Sequence, residues 1–573
     1  MNDLHPAIIR LLEKRNLGAD KSSQLFSWDL KSIPDHRHLN DLNKAALKII
    51  DAMTHHKKIA IYGDYDVDGT TSCALFFHFF KMLKTEVTLI QPSRFVEGYG
   101  LHVSSIDQAL QMNIDLMITV DCGITNVEAA DYAKAKGLDL IITDHHKDAA
   151  VKMPDAYAVV NPNRRDESPE LHEEFKALAG VGVAFYICVE IKNELAKKKI
   201  EMPTLYPLLE FVAIGTICDL AHLNSINLRL VRHGLKSIKE TKFPGIRAFF
   251  TQEELKAPFI PSDKLAFSIG PLINSKGRLD HPEMALKLLT TDNLDEARFY
   301  YDHLVSCNNE RKLIQKQVFD EALDLVESQI AELKNENEHT ISIVYQPHWH
   351  EGVIGIVASK LVESFKVPAV VFTDSEHEGI IKASVRSAGS LDIFNLLKKS
   401  EHLFLKFGGH KAAAGLSMPK TNLPLLVAEL NRELATIPEI IRKREDFYDI
   451  ELFPHEITPK LLRELDALGP FGMGHEKPLF KIKNLKLDSF DILKESHVRW
   501  NFSVQKVKMK GISFNYIGKP KLLSPHEIYS LQQKDHSKLH DASSLELICS
   551  LSINRFNGSE SIQLMIDKVE FGI

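Results

Sequence analysis

Residues 59–72 read IAIYGDYDVDGTTS, and three carboxylates, Asp64, Asp66 and Asp68, alternate over five positions between an apolar run and a glycine. Further on, the apolar run LMITV ends at Asp121, and LDLIIT ends at Asp144, His145 and His146. Carboxylates and imidazoles are the groups that hold divalent cations and move protons. The aspartate run fits the start of a calcium loop, which requires a bidentate Glu at its twelfth position. Counted from Asp64 that position is Leu75, and the run follows a strand-like segment rather than a helix, so a calcium loop is excluded.

The elements around these residues suggest another arrangement. IAIYGDYD (59–66), EVTLIQPS (86–93), LMITVDCG (116–123) and LDLIITDHH (138–146) alternate with helix-like stretches such as TSCALFFHFFKML and NVEAADYAKAKG. Near-continuous apolar strands alternating with helices predict a parallel sheet with both faces covered. Ligands of such sheets lie outside the carboxyl ends of the strands, where these acids and imidazoles fall. Like charges converging there repel by ~4 kcal/mol per pair at 4 Å and moderate dielectric, a cost that a cation removes. Carboxylates with imidazoles suit Mn²⁺ or Mg²⁺, and the lack of clustered thiolates disfavours a closed zinc site. With this many ligands, two ions bridged by one carboxylate fit, a device that hydrolyses phosphate esters. Singly, each residue has a plainer role: a helix N-cap, a turn, a core or surface histidine, or, for Asp64, a backbone acceptor that shapes the turn. Recurrence at successive strand ends favours the metal.

The 573 residues exceed a single core and divide by texture. Residues 1–57 read as an N-terminal helical segment, 58–289 as the α/β catalytic domain, and 205–240 within it as mostly helical. Residues 290–337 read as a connecting helix, because 290–335 hold no proline or glycine. A second α/β domain, 338–436, carries HTISIVYQP, VIGIVASKLVESF, PAVVFT, IIKASVRS and the glycine-rich FGGHKAAAG. Short alternating strands across 447–573 predict a small β-barrel, with an OB-fold as one candidate. Six scattered cysteines without a CxxC fit a reducing cytoplasm, and no apolar run is long enough to span a bilayer. A net charge of −7 argues weakly against a nucleic-acid partner, although the lysine-rich stretch 481–514 leaves room for a local basic face.

The ordered set GDYDVDGTTS, ITVDCGI, TDHH and GTICDLAHL resembles the motifs of the DHH phosphoesterase family. PSRFVEGYGL, NPNR, GPLINSKGRL, WHEGVIGIVASK, ASVRS, FGGHKAAAG and LGPFGMG extend the resemblance over essentially the whole chain, toward the branch that degrades single-stranded DNA. The resemblance implies a parallel-sheet DHH domain, a long connecting helix, a DHH-associated domain and an OB-like barrel. It implies a processive 5′→3′ exonuclease that releases 5′-mononucleotides in DNA repair and recombination, using two Mn²⁺ or Mg²⁺ ions. Asp66 matches a ligand of one ion, Asp68, His145 and Asp219 match ligands of the other, and Asp121 matches the bridge. His146 would stand by the bridging water or the scissile phosphate, and Asp64 would support the loop. Ser384 and Arg386 match positions that hold the terminal 5′ phosphate, and Gly408, Gly409 and His410 would lie near substrate phosphates. Arg278 and Arg94 resemble further phosphate and active-site arginines; for Arg278 and Arg386 a surface ion pair is the plainer account.

Implied partners are single-stranded DNA, a single-strand-binding protein and a helicase, with the enzyme a monomer. Trp500, Phe502, Phe514 and Phe556 are the barrel aromatics that could stack on bases, although alternate aromatics in a barrel are more often core. GVGVAF (180–185) starts like a dinucleotide fingerprint but ends in Phe185, which leaves tight packing as its role. Two other readings compete: a phosphoesterase of short oligoribonucleotides or nucleotide bisphosphates, and a silent DNA-binding scaffold. The C-terminal barrel counts against the first, and the full set of acidic and histidine positions against the second.

Overall fold

The computed structural model describes residues 4–92, 98–148, 152–279, 283–333, 338–443, 447–494, 497–504, 507–514, 545–556 and 559–571. They fall into two compact units, one of residues 19–309 with 468–477, the other of residues 1–18, 310–467 and 478–573. Among the described residues no helix is long and apolar enough to cross a membrane.

The first unit is built on five parallel strands in the order β2-β1-β3-β4-β5: β1 Ile59–Gly63, β2 Val87–Ile90, β3 Leu116–Val120, β4 Asp139–Thr143 and β5 Ala158–Val160. Apolar side chains on alternate positions go to opposite faces. Ile59, Ile61, Ile118 and Ile141 pack under the helices Leu42–Thr54, Val67–Met82 and Gly180–Lys197, while Tyr62, Met117 and Ile142 pack under Val103–Gln111 and Val127–Ala135. The sequence predicts four of these strands; the fifth has only three residues. Register sets up the site. Gly63 pairs with Val120, Val120 with Thr143 and Thr143 with Val160. The residues that follow, Asp64, Asp121, Asp144 and Asn161, therefore leave the sheet side by side.

Two close approaches hold this edge. The helix Gly180–Lys197 starts so near β3 that a Cβ on Gly180 would stand 2.7 Å from Cβ of Asp121. The segment Leu468–Lys477 is anchored by Arg232, whose buried guanidinium donates to the carbonyls of Ser27 (3.0 Å), Leu468 (3.0 Å) and Gly469 (2.8 Å). Met473 O accepts from Leu223 N at 2.8 Å, four residues after Asp219.

In the second unit a sheet of order β6-β7-β8-β10-β9 comprises β6 Ser342–Tyr345, β7 Ala369–Asp374, β8 Ile380–Arg386, β9 Lys406–His410 and β10 Ala413–Pro419. One face packs on the helix Glu351–Phe365 and on Val318, Ala322, Val326 and Ile330 of the long helix Leu294–Ala331; the other packs on the helices Ile393–Lys398 and Leu423–Ala435. FGGHKAAAG forms most of the hairpin β9–β10. The barrel strands are β11 Ile450–Glu451, β12 Phe480–Leu493, β13 His497–Val504, β14 Val507–Ser513, β15 Leu545–Phe556 and β16 Ser559–Phe571. Strands β12-β13-β14-β16-β15 close into a ring through the pairing of β12 with β15. The helix Pro6–Lys14 belongs to this unit, with Arg10 paired to Glu456 at 2.8 Å and Arg15 to Asp449 at 2.7 Å.

Arg232→Ala removes the guanidinium donor from the carbonyls of Ser27, Leu468 and Gly469, and leaves Leu468 O with His475 Nε2 at 2.9 Å. It is expected to lower unfolding free energy by about 3 kcal/mol in chemical denaturation and to open the 468–477 segment to limited proteolysis. Gly180→Ala pushes a methyl into Asp121; calorimetric titration with Mn²⁺ should show affinity reduced by about tenfold or more, a shift on the order of 1.4 kcal/mol, with far-UV circular dichroism unchanged.

Candidate metal and phosphodiester site

Asp66 caps the helix Val67–Met82, its carboxylate accepting from Gly69 N at 3.0 Å, so the plain N-cap role and a place in the acidic cluster coincide. Asp68 lies in the first turn of that helix, fully buried. Its two oxygens accept from Gly180 N (2.5 Å) and Val181 N (2.8 Å) at the start of the helix Gly180–Lys197, whose positive end suits an anion. Asp121 follows β3 in the left-handed region at φ 61°, a backbone state that costs about 1–2 kcal/mol and marks functional sites. Asp219 caps the C-terminal end of the helix Leu209–Cys218.

These side chains meet. His145 Nε2 stands 3.1 Å from Asp121 Oδ1, 3.7 Å from Asp68 Oδ2 and 3.8 Å from Asp219 Oδ2. Asp121 Oδ1 and His145 Nε2 are buried and make no hydrogen bond. Three trios have ligand atoms within 4.8 Å of one another: Asp64 with Asp66 and Asp121, Asp68 with His145 and Asp219, and Asp121 with His145 and His146. Burial, then the charges of neighbouring aspartates, pushes Asp68, Asp121 and Asp219 well above the usual carboxylate range. Burial, then the charge of His146, pushes His145 down to about 4, leaving its imidazole neutral at pH 7. Two orphaned polar atoms, a neutral imidazole and carboxylates that resist ionising together are the donor set a hard divalent cation satisfies.

A second layer orients these groups. Asp144 accepts from the backbone N–H of Ile124 (2.9 Å), His145 (2.7 Å) and His146 (3.0 Å), and lies 2.8 Å from His146 Nδ1. Burial alone would raise Asp144, but the His146 hydrogen bond and charge outweigh it and hold the carboxyl below its ordinary value. Burial would conversely lower His146; the bond to Asp144 overrides that and raises it to about 9. The Tyr99 hydroxyl is 2.9 Å from the same Nδ1. Asn161 and Asn163 donate to the carbonyls of His146 (2.9 Å) and His145 (2.7 Å). Asp144 is among the strand-end acids of the sequence reading, there as a candidate ligand rather than a partner of His146; Tyr99 and the two asparagines have no site role in it, although PSRFVEGYGL and NPNR contain all three. Asp64 is buried at the end of β1, with its carbonyl accepting from Gln91 Nε2 at 2.9 Å.

The second unit holds the other expected residues. Arg386 Nη1 donates to Ser384 Oγ and to Val385 O, each at 2.9 Å. Among the described residues Arg386 forms no ion pair, and burial lowers its pKa, so the surface-ion-pair reading fails for it. Gly355 lets the helix Glu351–Phe365 reach both groups: a Cβ there would lie 3.0 Å from Ser384 Oγ and from Arg386 Nη2. Gly408, Gly409 and His410 are exposed on β9. Arg94 lies outside the described residues, as do the side chains of Arg278 and Phe556. Trp500 and Phe502 are buried in the barrel core, which removes them as stacking platforms, while Phe514 is half exposed.

The model of the DHH family, N-terminal domain, matches residues 58–216, that of the DHHA1 domain 338–436 and that of the RecJ OB domain 448–568. The single-stranded-DNA-specific exonuclease RecJ of Escherichia coli is 32% identical over 99% of this chain and 96% of its own length. Crystal structures of Thermus thermophilus RecJ with Mn²⁺ (TM-score 0.78, 26% identity) and with Mg²⁺ (TM-score 0.72, 25% identity) each cover 99% of this chain and about three quarters of theirs, 76% and 75%. With identity above 30% sustained along nearly the full length of both chains, this protein belongs to the RecJ family of DHH phosphoesterases.

Proposed function

We propose that this chain is a metal-dependent 5′→3′ exonuclease that degrades single-stranded DNA to 5′-mononucleotides in DNA repair and recombination. The observation that carries this reading is the strand register that aligns Asp64, Asp121 and Asp144 and brings Asp68, His145 and Asp219 against them. Asp66 would hold one Mn²⁺ or Mg²⁺, Asp68, His145 and Asp219 the other, and Asp121 would serve both. Bound there, the cations would neutralise the carboxylates, activate water and stabilise charge on the attacking and leaving oxygens.

The protein's own groups do the rest. Gly180 N–H and Val181 N–H keep both oxygens of Asp68 in place. Asp144 engages His146 at Nδ1, which leaves Nε2 of that cation to meet a substrate phosphate. Ser384 and Arg386 would hold the terminal 5′ phosphate, with the half-buried guanidinium forming no ion pair among the described residues. On the barrel, Lys481, Lys483 and Arg499 are tied to Glu546, Glu451 and Asp491. Lys486 and Lys508 flank Ser503, and Lys510 lies beside Asn501, giving one outward basic stripe that would follow a phosphate backbone.

With Mn²⁺ and end-labelled strands, digestion should start at the 5′ end, spare blunt duplex and stop with chelator; degradation from the 3′ end refutes the proposal. A dinucleotide turned over faster than a long strand would favour the small-substrate phosphoesterase. Asp121→Ala should reduce hydrolysis at least 10³-fold, about 4 kcal/mol, with strand binding retained in a filter assay. Arg386→Ala should narrow the affinity gap between 5′-phosphorylated and 5′-hydroxyl strands.

A further inference from the structure

Past the helix Glu351–Phe365, which meets Ser384 and Arg386, the same sheet face continues over β10 and β9, where Gly415, Lys406, Gly408 and His410 are exposed. In antiparallel pairs, directly opposed residues share a face, and so do residues two apart along a strand. Ser384 pairs with Gly415, and Gly415 with Gly408. Arg386 pairs with Ala413, and Ala413 with His410. Lys382 pairs with Ser417, and Ser417 with Lys406. Three rows of three thus lie on one face of β8, β10 and β9. The apolar residues between them, Ala383, Val385, Ala414 and Leu416, are buried on the opposite face.

The floor of this face is small, with Gly415 and Gly408 both exposed, so a ligand can approach the strands closely between the flanking side chains. Its rim is cationic. The Arg386 guanidinium folds back to Ser384 Oγ, which centres the terminal-phosphate position on the middle row. The outer row brings Lys382, paired with Glu351 at 2.8 Å, and Lys406, which is exposed and forms no ion pair among the described residues. That row is two strand residues away, about 6.8 Å. A linear chain of phosphates anchored at the middle row can span that distance and meet both lysines.

We propose that Lys406, with Ser417 and Lys382, forms a second anion subsite for the additional phosphates of a 5′-triphosphorylated strand end. This rests on the reading of Ser384 and Arg386 as the terminal-phosphate site. The test uses three strands of one sequence bearing 5′-hydroxyl, 5′-monophosphate or 5′-triphosphate ends, bound by the full chain in chelator at several salt concentrations. Wild type should bind the triphosphorylated strand several-fold more tightly than the monophosphorylated one. Lys406→Ala should erase that gain and flatten the salt dependence by about 0.7 in log–log slope; Lys406→Arg should keep both, and the distant Lys316→Ala should change neither. Free nucleoside triphosphate should compete with the triphosphorylated strand only weakly. A gain that survives Lys406→Ala, equal wild-type binding of the two phosphorylated strands, or strong competition by free nucleoside triphosphate overturns the subsite. Those results leave the nuclease reading intact if wild type with Mn²⁺ still digests the monophosphorylated strand from its 5′ end; absence of that digestion overturns both.

Discussion

Mutual repulsion of carboxylates governs the architecture of the first unit. Asp64, Asp66, Asp68, Asp121 and Asp219 come from three separate points of the chain, yet burial and their neighbours' charges drive three of them away from ionisation. The fold answers this locally. Two backbone N–H groups at a helix start take Asp68, a helix amide takes Asp66, and β3 ends in a left-handed turn that turns Asp121 toward His145. These devices offset part of the cost, and the orphaned oxygen of Asp121 and nitrogen of His145 show where an added positive charge would complete the balance.

The second unit displays the opposite charge. Its sheet carries Lys382, Arg386, Lys406 and His410 on one face over a floor of glycine and alanine. A half-buried arginine without an acid partner is costly in the same way as a crowded carboxylate, with the sign reversed. Both units therefore present charges that their own residues do not neutralise, one set suited to cations and the other to phosphates.

Much of this was legible in the sequence because the signals are local. The apolar runs at 59–63, 87–90, 116–120 and 139–143 mark strands by composition, and the acids that end them mark the site by position. Other features depend on contacts between distant segments. The packing of Gly180 on Asp121 spans 59 residues, since 180 minus 121 is 59. GVGVAF was read as tight packing, whereas its amides also hold Asp68. β5 is too short for periodicity to register. FGGHKAAAG looks like a loop because glycine and alanine have weak strand preference; its pairing with β8 makes it sheet. Trp500 and Phe502 could be stacking platforms or core by type alone, and burial decides for core.

The segment 468–477 belongs to the unit that carries the acids, while the residues on either side of it, up to 467 and from 478, belong to the other. The polypeptide is thus interlaced rather than beaded. Excising everything after the second sheet would take away more than a barrel: the Arg232 guanidinium would lose two of its three carbonyl partners, and Leu223 N–H would lose Met473 O. A chain shortened there loses contacts within the acid-bearing unit, one of them four residues from Asp219, as well as the barrel. Evolutionary exchange of the barrel would have to leave those ten residues in place.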